Sequence, residues 1–88
     1  MKIKKGFVIR EVGGENVVVP VGALSKTFHG MINLNETGAF MWKFFTEDHT
    51  LEEGIDAICN EYEVERERAA KDVENFVKVL EANNFLEA

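Results

Sequence analysis

The strongest constraint on the fold is a change of hydrophobic period near residue 35. Before it, β-branched runs alternate with glycine; after it, apolar residues recur at helical spacing among many glutamates. The chain has 88 residues, a length that suits one domain, 1–88. At that size most apolar side chains must share one core. Strands gathered at one end and helices at the other give an α+β protein with an antiparallel sheet.

Phe7 to Val12 alternates, with Phe7 and Ile9 on one face and Val8, Arg10 and Val12 on the other. Gly13-Gly14 supplies the positive φ angles of a tight hairpin. Asn16 to Val21 returns as a second strand, with Val17, Val19 and Val21 on one side. Pro20 lacks a ladder donor, so this strand is expected to bend or lose a partner there. Gly22 to Thr27 reads as loop, and Phe28 to Leu34 as a third strand.

Asn35 looks like a helix N-cap for the amides of Thr37 or Gly38, and Glu36 suits the positive end of the helix dipole. Gly38, Met41, Trp42 and Phe45 share one face of this first helix, while Phe40 and Phe44 lie on a second. A helix apolar almost all round is normally buried between other elements. Thr50-Leu51-Glu52-Glu53 matches a capping box, and Leu51, Ile55, Ile58, Cys59 and Tyr62 form a stripe on the helix that follows. A third helix begins near Glu65 with the stripe Ala69, Val73, Phe76, Val77 and Leu80. It ends around Asn83-Asn84, where asparagine can take the left-handed conformation. Phe85 and Leu86 are expected to fold back onto the core. The order is a three-stranded sheet at the N-terminus followed by three helices, an arrangement like a winged helix with its sheet moved forward.

Sixteen acidic residues against ten Lys and Arg leave a net charge of −6. Such a surface repels duplex DNA unless the basic groups cluster, because phosphate contacts supply most non-specific affinity. Nucleic acid is therefore not the expected partner. No apolar run approaches the roughly 18 residues of a membrane span. The basic start Met1-Lys2-Ile3-Lys4-Lys5 also lacks the apolar stretch of a signal peptide. Cys59 has no partner for a disulfide. The expected location is cytoplasmic, without a membrane partner.

Candidates for catalysis are few. A nucleophile needs an activating base and a means of stabilising developing charge. No glycine-rich nucleophile turn surrounds Ser25, and Cys59 sits in an apolar stripe as an inert thiol would. A zinc site from His29, His49 and Cys59 lacks a fourth ligand. Neither GxGxxG nor GxxxxGK[ST] occurs. The run Glu61, Glu63, Glu65, Glu67 reads as a solvated turn. The expectation is a non-catalytic protein without metal or cofactor.

The segment Met31-Ile32-Asn33-Leu34-Asn35-Glu36-Thr37-Gly38-Ala39-Phe40-Met41-Trp42 resembles the "LNETGAxxW" signature of the PqqD-like family. The helix start Thr50-Leu51-Glu52-Glu53 and the closing Asp72-Val73, Phe76, Leu80 and Asn84-Phe85-Leu86 are similar to that family too. Family members commonly carry glycine where this chain has Asn84, a residue that tolerates the same backbone conformation. The resemblance implies a recognition element that binds the leader segment of a ribosomally made precursor peptide. Such an element presents the leader to a tailoring enzyme, often a radical-SAM protein; in the founding case the product is pyrroloquinoline quinone.

In that family the leader lies between the third strand and the third helix. Here this implies Phe28, Met31, Ile32, Asn33 and Leu34 facing part of Arg66 to Ala82. Helical geometry places Val79 beside the buried stripe, with Arg68, Lys71, Asn75 and Lys78 on the same flank and Glu74 and Glu81 on the other. That basic fringe suits a leader carrying acidic and apolar side chains; ordinary surface charge beside a spare valine is the plainer reading. Two other functions remain open at this level. One is a winged-helix DNA-binding or regulatory protein, for which the second and third helices are too acidic. The other is a fixed subunit of an enzyme complex, docked through Phe40 and Phe44 if they are unburied.

Overall fold

The computed structural model describes residues 1–22 and 32–87. Three strands, β1 (Phe7–Val12), β2 (Glu15–Pro20) and β3 (Ile32–Leu34), precede three helices, α1 (Glu36–Phe44), α2 (Leu51–Glu61) and α3 (Arg66–Ala82). The sheet is antiparallel throughout, in the order β1-β2-β3. Gly13 and Gly14, at φ +59° and +84°, form the two-residue turn between Val12 and Glu15. A side chain at either position would be strained by the backbone alone. Pro20 does keep a register partner, Phe7, but it is the last residue of its strand.

The β2 face that meets the helices is the one that carries Val18. Val18 is 1% exposed and belongs to the main core with Trp42, Phe45 and Leu80, whereas Val17 is buried outside that cluster. Valines at three successive positions are apolar on both faces, so period two cannot choose between them. Register decides instead. Val18 stands across from Ile9 on one side and Ile32 on the other, and both pack against the core.

The starts of α1 and α2 are closed by local chemistry. Asn35 Oδ1 accepts the Gly38 N–H at 2.7 Å. Thr50 Oγ1 accepts the Glu53 N–H at 3.1 Å while Glu53 Oε1 accepts the Thr50 N–H at 2.8 Å, a complete capping box. Glu65 caps α3 without a side-chain bond. The first residue of α3, Arg66, instead ties this end to α2 by forking to Asp56 and Glu52, each at 2.6 Å. The Asp56 bond, then the Glu52 bond, hold the guanidinium above its ordinary pKa. At the far end of α3, Asn84 takes φ +58°. The Phe85 N–H reaches the Leu80 carbonyl and the Asn84 N–H reaches that of Glu81. This is the Schellman pattern, and it turns the chain back so that Phe85 is 1% exposed.

An aromatic cluster closes the core. Trp42 meets Phe7 and Phe85 edge-on, with centroids at 6.4 Å and 5.5 Å. Truncating such a tryptophan to alanine costs about 3–5 kcal/mol. The N-terminal segment joins the same cluster: Ile3 is buried, its N–H donates to the Phe45 carbonyl at 2.9 Å, and it bridges Leu86.

Candidate functional site

A groove of about 570 Å³ opens between β3 and α3. One wall is Ile32, Asn33 and Leu34. The other is Arg68, Asp72, Asn75, Phe76 and Val79, and Met41, Thr37 and Gly38 of α1 close one side. The wall from β3 is an edge strand, since among the described residues its one neighbour in the sheet is β2. An edge carries backbone groups with no ladder partner and can accept a further strand.

Local sequence explains how these walls come together. Gly38 lets α1 approach the end of β3 closely: a Cβ there would lie 3.0 Å from Asn35 Oδ1 and 3.4 Å from Leu34 Cβ. The Asn35 cap thus fixes the angle at which β3 runs into α1. On α3, residues 68, 72, 75 and 79 follow one line along the helix, next to the buried line of Ala69, Val73, Phe76 and Leu80. Val79 is 42% exposed, an apolar side chain set at the groove rather than in the core.

Of the residues picked out from sequence, the structure brings together Ile32, Asn33, Leu34, Arg68, Asn75 and Val79. Phe28 and Met31 lie outside the described residues. Lys71 and Lys78 are exposed and do not line the groove. They sit one residue step, about 100°, behind Asp72 and Val79, so the basic fringe borders the groove instead of forming its wall.

Sequence reasoning missed Asp72 and the α1 contribution of Thr37, Gly38 and Met41. The i,i+4 spacing from Arg68 to Asp72 was the available signal, and the two form an ion pair at 4.0 Å. Both members are substantially exposed, so the pair contributes little stability, but it balances the charge of that wall. The groove is thus apolar at its floor, with one cation and one anion facing each other.

Other candidates fall elsewhere. Ser25 and His29 are outside the described residues. Cys59 is half-buried on α2, and His49 stacks on Phe44 with centroids 4.0 Å apart. Phe40 and Phe44 are half-buried, and Phe40 lies edge-on to Tyr62 at 5.7 Å. Burial, then the nearby carboxylates of Glu36 and Glu61, push the Tyr62 hydroxyl above its ordinary pKa. Among the described residues, no helix is long and apolar enough to cross a membrane.

The profile of the family described as Coenzyme PQQ synthesis protein D (PqqD) matches residues 15–86. The chain belongs to the PqqD family. The match spans β2, β3 and all three helices and leaves out β1, so both walls of the groove fall inside the PqqD region. Among solved structures, the chain is similar to TbiB1 in complex with the TbiA(beta) leader peptide. Identity is 30% and the TM-score 0.77, over 100% of this chain and 96% of that one. It also shares its fold with lasso peptide synthetase B1 complexed with the leader peptide, at 20% identity and TM-score 0.75, over 99% and 96% of the two chains. No curated protein sequence matches it.

Proposed function

We propose that this chain is a non-catalytic recognition module that captures the leader segment of a ribosomally synthesised precursor peptide and presents it to a modifying enzyme. The observation that carries the reading is the groove between an open sheet edge and α3. An extended peptide laid along β3 gains main-chain hydrogen bonds from the edge, while pockets for alternate side chains supply selectivity. Here those side chains reach Phe76, Val79 and Met41. Two relatives of the same fold carry leader peptides in their complexes, which supports a peptide as the occupant.

The residues assigned to the peptide are Ile32, Asn33, Leu34, Arg68, Asn75 and Val79 in the groove, with Lys71 and Lys78 along its border. Phe28 and Met31 complete the proposed set from sequence. A DNA-binding reading is disfavoured by α3 itself: Arg66 is held by Asp56 and Glu52, and Arg68 faces Asp72.

The test is fluorescence anisotropy with a labelled leader from the precursor peptide encoded beside the gene for this chain. The reading expects saturable binding that Val79→Asp weakens by about tenfold or more with an unchanged circular dichroism spectrum. Unaltered binding to the variant would exclude the groove as the site.

A further inference from the structure

Hydrogen-bond parity in the sheet determines which backbone groups of β3 are left for an added strand. Val12 and Glu15 flank a two-residue turn, so they form a hydrogen-bonded pair, and bonded and non-bonded pairs alternate from there. Arg10↔Val17 and Val8↔Val19 are then bonded pairs as well. The Val21 N–H donates to the Gly6 carbonyl at 2.8 Å, which continues the same parity past the end of the strand. Pro20 falls opposite Phe7 in a non-bonded pair, so its missing N–H removes no bond to β1.

The peptide groups of Asn16 and Val18 consequently point away from β1 and toward β3. Their register partners are Leu34 and Ile32, so both of those residues direct their backbone groups to β2. Asn33 stands opposite Val17 in a non-bonded pair. Its N–H and C=O project from the free edge, where the sheet ends among the described residues. Asn35 offers less, because its carbonyl already accepts the Ala39 N–H at 2.9 Å.

The side chains follow the same alternation. Ile32 and Leu34 pack toward the core, and Asn33 is exposed on the other face. A peptide residue directly opposite Asn33 shares that outer face, while its two sequence neighbours point toward Phe76 and Val79.

We propose that Asn33 is the backbone anchor of the added strand, and that the groove selects peptides with two apolar residues separated by one. With the peptide antiparallel to β3, the intervening residue is held by its own N–H and C=O and is free in side-chain identity. This rests on the strand-addition function proposed above and adds its register and sequence preference.

Two measurements test it. Amide hydrogen exchange on the free chain needs no ligand: the Asn33 amide should exchange about tenfold or more faster than those of Ile32 and Leu34. The opposite order overturns the parity. In the second, the wild-type chain selects peptides from a random phage-displayed library, and the selected peptides are resynthesised with single backbone N-methyl groups. The expected peptides carry apolar residues at spacing two. Methylation of the residue between them should cost about tenfold, and methylation of either apolar neighbour far less. Asn33→Pro removes only an outward N–H, which an edge strand tolerates; it should stay folded and weaken the selected peptides about tenfold. Apolar residues at helical spacing, or equal losses at adjacent methylated positions, refute the register while leaving peptide binding intact. Failure to select any peptide refutes the function on which the register rests.

Discussion

Replacing Gly54 by alanine sets two effects of opposite sign against each other on α2. Helix propensity favours alanine at an interior position by about 1 kcal/mol. A Cβ on Gly54, however, would stand 2.6 Å from Phe45 Cζ and 3.2 Å from Phe45 Cε2, well inside the 3.5–4.0 Å at which carbon atoms normally pack (about 0.1–0.2 kcal/mol per pair at that distance). The Phe45 ring cannot swing clear, since it is 0% exposed, and Val73 Cγ1 lies 3.5 Å away on the same side. Overpacking of this kind costs about 1–3 kcal/mol, and contact with a fixed ring belongs in the upper half of that range. The net effect is a loss of about 1–2 kcal/mol, a large share of the ~5–15 kcal/mol that holds a domain together. Urea unfolding reads it directly: the midpoint should fall by roughly 1 M with an unchanged slope. Combining the change with Phe45→Leu, which shortens the offending ring, should recover part of the loss as a positive coupling. A variant as stable as the parent, or more so, would refute the packing argument and leave propensity in control.

Asn35→Ala should cost about 1 kcal/mol in urea unfolding by removing the α1 cap, with Asn35→Asp restoring most of it. Glu53 is held below its ordinary pKa, first by the Thr50 N–H. Its folded pKa lies below the unfolded one, so the stability it adds is full above the ordinary glutamate range and is lost as pH falls through the folded value. A carboxylate NMR titration should therefore place the Glu53 midpoint below 4.5, and a midpoint at or above that value would contradict the capping box. Reversing charge at Lys71 and Lys78 together should slow association of an acidic leader and flatten or invert its salt dependence; unchanged affinity by anisotropy would remove the basic border from the account.

What the sequence revealed followed the range of the chemistry involved. The Gly13-Gly14 turn, the Asn35 cap and the Thr50–Glu53 box depend on residues within a few positions of one another, and all three stand as read. So does the Asn84 termination, because the left-handed turn is local. The inward face of β2 was not legible, since three consecutive valines fit either face until Ile9 and Ile32 fix the register. Gly54 gave no sign of its role: contact with Phe45 across a helix pair has no signature in spacing. The bridge from Ile3 to Leu86 joins the two ends of the chain and is likewise invisible to local pattern. For the groove, the strand and the helix singled out from sequence both line it, whereas the basic flank of α3 borders it one residue step away. Lys71 and Lys78 stand on that border, and Asp72, which the flank did not include, lines the groove.

Residue-by-residue amide shifts, followed by NMR while the leader of the neighbouring precursor peptide is added, test the central claim most directly. The account predicts shifts concentrated on Ile32, Asn33 and Leu34 and on the Arg68 to Val79 side of α3, with α2 little changed. Shifts centred instead on α2 and the Phe40–Tyr62 side of the molecule, or none at saturating leader, would contradict it.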